Sequence, residues 1–165
     1  MHTSGLHPDS SRLIAHHGMS PHPEGGFFVE TFRSSLTVQT SDGRGKRAAI
    51  TNILFLLDSS INDGISRLHC VLSDEVWHFI DGAPLVLTTL DASLGQPHEH
   101  LLEKVHPTFT VPASYWQAAQ TRGPWTLVGC TVGPGFDFSD FSMLKDENER
   151  SAQLLSAHPH LRRLV

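Results

Sequence analysis

The chain of 165 residues has only two cysteines and contains no long apolar run. Cys70 and Cys130 provide no disulfide framework, and both lie in apolar, strand-like runs, so we expect them to be inert buried thiols. The longest apolar run, Ile53–Leu57, is too short to cross a bilayer. The sequence therefore predicts neither a disulfide-stabilised scaffold nor a helical membrane protein.

Basic residues are also scarce: there are 12, against 17 acidic ones, which gives a net charge of −5 at pH 7. No run of basic residues is longer than two. This balance argues against a nucleic-acid-binding surface and against binding to acidic membranes. The first twenty residues include Pro8, Asp9 and Arg12 and show no apolar secretory region, so we expect a cytoplasmic protein.

What the sequence does contain is a series of short β-prone runs separated by polar or Gly/Pro connections, a pattern that predicts an all-β sandwich or barrel. A short helix is predicted before them, over residues 9–17, and another after them, over Asp146–Ala157. The length suits one domain, 1–165, with a barrel core at about 27–141. The predicted strands are Phe27–Arg33, Ala48–Leu57, Ile65–Val71, Glu75–Ile80, Leu85–Leu90, Leu101–Val105, Thr108–Val111, Trp116–Gln120 and Thr126–Val132.

Two of these strands form a predicted hairpin whose polar residues suggest a binding site. Strand parity places Arg67 and His69 on one face of the first strand, and Glu75 and Trp77 on one face of the second. We expect these four side chains to line a cavity, because a small-molecule site needs apolar walls and a few convergent polar groups. His78 falls on the opposite face and is expected to pack under another layer, although it remains a secondary candidate for ligand binding.

The strand Phe27–Arg33 carries a charged residue on each face. Phe28 and Glu30 share one face, and Arg33 lies on the other. Two interpretations are open: Glu30 and Arg33 line the mouth of the cavity and contact a ligand, or they pair with each other at the edge of a dimer.

Residues 64–82 resemble the first motif of the cupin superfamily, which runs Gly, five residues, His-x-His, three or four residues, Glu, six residues, Gly. His69 stands at the first His position, and Glu75 and Gly82 have the required spacing. Val71 occupies the second His position. The resemblance implies an all-β cupin fold, a double-stranded β-helix or jelly-roll barrel, with the two helices outside it.

The second cupin motif, Pro-x-Gly-x-x-His, is matched by Pro112 but ends in Gln117 instead of His. The metal ligands that the resemblance implies are thus reduced to His69, Glu75 and Gln117. An amide oxygen is a weak ligand for Zn, Mn, Fe or Ni, so we expect at most a weak divalent-metal site and no required cofactor. Without metal, His69 and Glu75 can still perform acid–base chemistry.

Four segments are similar to one cupin group, Cupin 5, formerly a domain of unknown function. They are residues 22–34, 73–79, 111–116 and 127–141. This resemblance implies a homodimer in which N-terminal strands add to the partner's sheet. It also implies a structural relation to epimerases of dTDP-4-keto sugars. For such a reaction His69 is the candidate base and Tyr115 the candidate acid.

Three functional hypotheses follow. The first is an isomerase or epimerase acting on a sugar or sugar nucleotide inside the barrel. The second is a non-catalytic protein that binds a small metabolite, and the third is a metal-dependent oxygenase or isomerase. In the second, aromatic side chains hold the ligand and polar ones orient it: Phe28, Trp77, Trp116, Arg67, His69, Glu75 and Gln117.

Overall fold

The computed structural model describes residues 5–165, and this part of the chain forms thirteen strands and two α-helices. Each α-helix has ten residues, so neither is long enough to cross a membrane. The helices are α1 (Pro8–His17) and α2 (Asn148–Ala157), and short 3-10 helices lie at Asn62–Gly64, Phe138–Asp140, Leu144–Asp146 and Pro159–Leu164. The strands are β1 (Ser20–Pro21), β2 (Phe27–Arg33), β3 (Thr37–Gln39), β4 (Lys46–Ala48), β5 (Thr51–Asp58), β6 (Ile65–Val71), β7 (Asp74–Gly82), β8 (Leu85–Leu90), β9 (His98–Leu102), β10 (Thr108–Val111), β11 (Trp116–Thr121), β12 (Trp125–Gly133) and β13 (Phe141–Met143).

Eleven of the strands form two antiparallel sheets that face each other. One has the order β1-β2-β5-β12-β7-β10, and the other has the order β13-β6-β11-β8-β9. Their inner faces share an apolar core in which Phe55, Trp77 and Val128 from the first sheet meet Leu87 and Ala119 from the second. The predicted all-β jelly-roll barrel is confirmed.

The two helices cover opposite outer faces of the barrel, as predicted. Leu13 and Ile14 of α1 pack against Leu56 on the first sheet. Leu154 of α2 packs against Leu68 on the second. Part of each sheet is therefore buried on both its inner and its outer face. This packing holds in place the strands that carry the site.

A small separate hairpin, β3–β4, is tied to the barrel by a buried carboxylate. Arg47 donates to both oxygens of Asp140 at 2.7 Å, and Arg44 Nη1 donates to Asp140 Oδ2 at 2.9 Å. The hydrogen bonds from Arg47 hold the pKa of Asp140 below its ordinary value. This carboxylate joins the hairpin to the segment that precedes β13.

Two predicted strands differ from the observed ones by more than two residues at an end. The run Ala48–Leu57 is divided between β4 and β5, because its first residue pairs with β3 and not with the barrel. The predicted Leu101–Val105 is observed at His98–Leu102. The strand ends early because the chain turns there, with Glu103 N–H bonded to the carbonyl of His106 at 3.1 Å.

Candidate functional site

One end of the barrel holds a cavity of about 280 Å³. Its walls combine a ring of aromatic side chains with several ionisable ones. The aromatic ones are Phe28, Phe136, Phe138 and Phe141. The charged or titratable ones are His22, Glu24, Glu30, Arg33, His69, Glu75, Cys130 and Asp137. The structure therefore brings together Phe28, Glu30, Arg33, His69 and Glu75 from the sequence-based candidates.

Glu75 projects from β7 into the barrel and ends a chain of buried hydrogen bonds. Trp77 Nε1 donates to Gln117 Oε1 at 2.8 Å, and Gln117 Nε2 donates to Glu75 Oε2 at 2.6 Å. Burial raises the pKa of Glu75 to about 7, against the opposing effect of the hydrogen bond from Gln117. At neutral pH this carboxyl therefore exists in both protonation states.

His69 presents a free ring nitrogen to the cavity. Its Nδ1 lies 2.8 Å from the carbonyl oxygen of Arg67, and because a carbonyl only accepts, Nδ1 carries the proton. Within residues 5–165, Nε2 has no hydrogen-bond partner, and the one buried side-chain atom there that lacks both solvent contact and a hydrogen bond is Ser10 Oγ. His69 Nε2 is therefore open to the cavity. Burial lowers the pKa of His69 to about 4, so the ring is neutral at pH 7.

A tight turn before β2 brings Glu24 into the cavity. Gly25 and Gly26 have φ of 114° and 69°. A Cβ on Gly25 would lie 2.5 Å from the carbonyl oxygen of Ile65. Only glycine fits this close approach without strain. The carbonyl of Glu24 accepts from the N–H of Arg67 at 2.8 Å, which holds the turn against β6.

The carboxyl of Glu24 contacts both histidines of the site. Oε2 lies 3.1 Å from His69 Nδ1 and 3.5 Å from His22 Nδ1, while Oε1 accepts from the Ser66 hydroxyl at 2.9 Å. Burial, reinforced by the nearby Glu75, raises the pKa of Glu24 well above its ordinary value. These contacts hold the carboxyl of Glu24 against both imidazole rings.

His22 is enclosed by aromatic rings. Its ring meets Phe28 and Phe141 edge-on and lies nearly parallel to Phe138, at centroid distances of 4.7, 5.9 and 6.2 Å. Burial, with a smaller contribution from His69, lowers the pKa of His22 to about 3. Sequence reasoning missed His22 and Glu24 as site residues because it treated their segment as a turn only.

Glu30 and Arg33 lie together at the cavity and neutralise each other. Arg33 donates to Glu30 through Nε at 3.0 Å and Nη2 at 2.7 Å, and through Nη1 to the carbonyl of Phe136 at 3.1 Å. The expectation that they face opposite sides was wrong, because a bulge between Glu30 and Phe32 reverses the alternation of β2. The pair thus lines the cavity and its members bond each other, while ligand contact and a dimer edge at this pair stay predictions.

Arg67 lies outside the cavity, contrary to the expectation from strand parity. His69 pairs with Gln117 of β11 and Ser66 with Ala119, so β6 contains one more residue than β11 between these pairs. This bulge reverses the alternation of inward and outward side chains along β6. The guanidinium of Arg67 instead donates to Val165 O at 2.9 Å and to Asn62 Oδ1 at 3.0 Å. Arg67 therefore anchors the C-terminal segment.

Besides Gln117, four other candidates are also outside the cavity lining. Trp116 is buried under α2, with the guanidinium carbon of Arg150 5.1 Å from its ring centroid. Tyr115 packs against the core between the sheets and not at the cavity, and its role as the acid stays a prediction. His78 is on the outer face, 3.3 Å from Thr131 Oγ1, as parity predicted. Trp77 points inward but uses its N–H to orient Gln117.

The predicted metal ligands do not form a metal-binding set. Gln117 Oε1 already accepts from Trp77, and Gln117 Nε2 donates to Glu75. This leaves His69 Nε2 and the carboxyl of Glu75, fewer than the three protein ligands of a typical catalytic site. In the part of the chain that the structure describes, no group of three His, Cys, Asp or Glu residues is arranged to hold a metal ion.

The comparisons with solved structures agree with the fold and leave the chemistry open. A hypothetical protein from Leishmania major has 28% identity and a TM-score of 0.77, covering 93% of this chain and 95% of that one. A protein from Shewanella oneidensis has 26% identity and a TM-score of 0.78 over the same shares. Oxalate decarboxylase from Bacillus subtilis, with 14% identity and a TM-score of 0.54, covers 76% of this chain and 30% of its own, and shares the fold alone.

Sequence comparison assigns the family. No protein with a curated description matches the chain. The family model Cupin_5, described as "Cupin superfamily (DUF985)", matches residues 11–144, which include the turn at Glu24, the strands of both sheets and every residue of the cavity. The chain therefore belongs to the Cupin_5 family of the cupin superfamily.

Proposed function

We propose that the barrel binds a small, uncharged hydroxycarbonyl compound of the sugar type and catalyses its isomerisation or epimerisation by proton transfer. The observation that carries this proposal is that Glu75, whose pKa is about 7, and the open Nε2 of His69 face the same cavity. A general acid–base group works best when its pKa lies near the operating pH.

The cavity favours a small neutral ligand over a sugar nucleotide. Its volume of about 280 Å³ is just below the roughly 300–1,000 Å³ that is typical of ligand pockets. A phosphate needs a free cation, but Arg33, the one cationic side chain of the described lining, is bonded to Glu30 through two nitrogens. Hydroxyl and carbonyl groups suit the neutral histidines and carboxyls better than an anion does.

The proposed chemistry uses Glu75 to move a proton between carbons. In an isomerisation its carboxylate removes the proton from the carbon next to the carbonyl and returns it to the carbonyl carbon; an epimerisation would need a second acid, on the opposite face of the ligand, to return a proton to the first carbon. His69 Nε2 accepts the proton of the adjacent hydroxyl and delivers it to the former carbonyl oxygen, which balances the isomerisation. Glu24, through its contact with His69 Nδ1 at 3.1 Å, keeps the imidazole in place.

Solvent isotope exchange tests this proposal. The protein is incubated in D₂O with a panel of uncharged aldoses and ketoses, and deuterium at the carbon next to the carbonyl is followed by NMR. We expect exchange with the native protein and a loss of roughly 100-fold or more in Glu75→Gln. Glu99→Gln, which removes an exposed carboxylate from β9, is the matched control and should exchange normally.

The same experiment separates the alternative of a non-catalytic binding protein. Saturable binding of a panel member without exchange would favour a binding protein without catalysis. The absence of both binding and exchange would contradict the proposal.

We also propose that the protein is a homodimer, because β1 is at the edge of the first sheet, where a strand from another copy can pair. Light scattering of the purified protein would show whether the dimer exists.

A further inference from the structure

We propose that His22 is a further substrate-contacting residue, whose neutral imidazole donates a hydrogen bond from Nε2–H to the carbonyl oxygen of the ligand. The inference rests on the function proposed above and narrows its substrate class to α-hydroxycarbonyl compounds. It concerns a residue outside the barrel strands and outside both cupin motifs.

The position of His22 points to a ligand. The ring lines the cavity, and its side chain is only 7% exposed. Within residues 5–165, His22 Nε2 makes no hydrogen bond to the protein. It is nevertheless accessible, because the one side-chain atom there that lacks both solvent contact and a hydrogen bond is Ser10 Oγ. A buried polar atom is normally hydrogen-bonded, so an open nitrogen in an aromatic enclosure is suited to bind something from the cavity.

The backbone fixes the tautomer of His22. The N–H of Glu24 donates to His22 Nδ1 at 3.4 Å, so Nδ1 holds a lone pair and the proton is on Nε2. The turn keeps this geometry, since Gly25 N–H bonds the carbonyl of His22 at 3.1 Å and His22 N–H bonds that of Gly26 at 3.0 Å.

His69 has the opposite tautomer, because the carbonyl of Arg67 binds its Nδ1–H. The cavity thus offers one imidazole that donates, from His22, and one that accepts, from His69. An α-hydroxycarbonyl compound is complementary to this pair, with its carbonyl oxygen at His22 and its hydroxyl at His69. A neutral imidazole N–H can polarise a carbonyl without adding a charge to the site.

Nitrogen NMR of ¹⁵N-histidine-labelled protein tests the tautomers directly. At pH 7 we expect a protonated Nε2 in His22 and a protonated Nδ1 in His69. A His22 ring that is protonated at Nδ1, or at both nitrogens, would overturn the inference. This measurement needs no turnover, so it is independent of whether the protein is an isomerase.

Binding of dihydroxyacetone, an uncharged α-hydroxyketone, tests the contact. Labelled at its carbonyl carbon, it should show a downfield shift on binding, together with a shift of His22 Nε2–H. His22→Phe keeps an aromatic ring but removes the donor, and should bind about tenfold more weakly without the carbonyl shift. His22→Gln, which restores an N–H donor, should recover part of the affinity and part of the carbonyl shift. The control His16→Gln, on the exposed face of α1, should bind as the native protein does.

Thermal melting of each variant shows that it is folded before binding is measured. Native-like binding by folded His22→Phe, or no binding of dihydroxyacetone by the native protein, would overturn the role of His22. Binding with the expected His22 response, but without deuterium exchange in the panel, would instead overturn the proposed catalysis and leave the carbonyl contact established.

Discussion

The buried carboxyl of Glu75 should destabilise the folded protein at neutral and alkaline pH. Its pKa is raised from 4.5 to about 7 by burial. Between these values the folded protein holds a proton that the unfolded chain has released, so stability falls as pH rises through this window. One pKa unit corresponds to about 1.4 kcal/mol, and the full loss above pH 7 is therefore about 3 kcal/mol.

Substitution of Glu75 by Gln isolates this effect. The amide has the same shape, and its oxygen can still accept the hydrogen bond that Gln117 donates at 2.6 Å. We expect the free energy of unfolding in urea to match that of the native protein near pH 4.5 and to exceed it by about 3 kcal/mol at pH 8. Glu99→Gln, on the exposed part of β9, should leave this pH dependence unchanged.

It would refute the reasoning if the free energy of unfolding of Glu75→Gln differed from that of the native protein by the same amount at pH 4.5 and pH 8. Lower stability of the variant than of the native protein at pH 8 would also refute it. The same substitution is expected to abolish exchange. A gain of stability together with a loss of activity is the usual result when a destabilising group is retained for function.

Three other changes test the parts that hold the site. Gln117→Leu removes the donor to Glu75 and should cost about 1–3 kcal/mol in urea unfolding while raising the pKa of Glu75, seen by carboxyl NMR. Asp140→Ala leaves Arg47 without its carboxylate, and a loss of about 3 kcal/mol is expected, whereas less than 1 kcal/mol would contradict a structural role. Gly26→Ala, at φ 69° and with its Cβ 2.6 Å from the carbonyl of Leu56, should lower the melting temperature and weaken any ligand binding, and a variant with native stability would contradict the turn.

The strands were predictable from the sequence because turn residues and alternating apolar residues mark them locally. The observed β2, β6 and β8 have the predicted bounds. The direction of side chains within them was not predictable where a bulge occurs. Each bulge reverses the alternation and leaves no mark in composition, which is why Arg67 was assigned to the cavity and Arg33 was placed opposite Glu30.

The candidate site was predictable only where one hairpin carries it. His69 and Glu75 come from adjacent strands in the chain, and the structure brings both to the cavity. His22 and Glu24 come from a turn whose position depends on contacts with β6, more than forty residues later, such as the bond from Ser66 to Glu24. The signal available was an ionisable residue on the N-terminal side of Gly25-Gly26, next to a strand rich in phenylalanine.

The chemistry of this barrel follows from which polar positions the chain has kept. Val71 lines the cavity where the motif has a second imidazole, and the amide of Gln117 is engaged by two protein groups. The turn before β2 adds an imidazole and a carboxyl, but it uses the Nδ1 atom of that imidazole to accept a backbone N–H. Beside the mutually bonded Glu30 and Arg33, the cavity thus presents two neutral imidazoles and the carboxyl of Glu75, whose pKa is about 7. Such a set moves protons on a neutral ligand more readily than it holds a divalent cation, because a cation needs several unengaged lone pairs in one place.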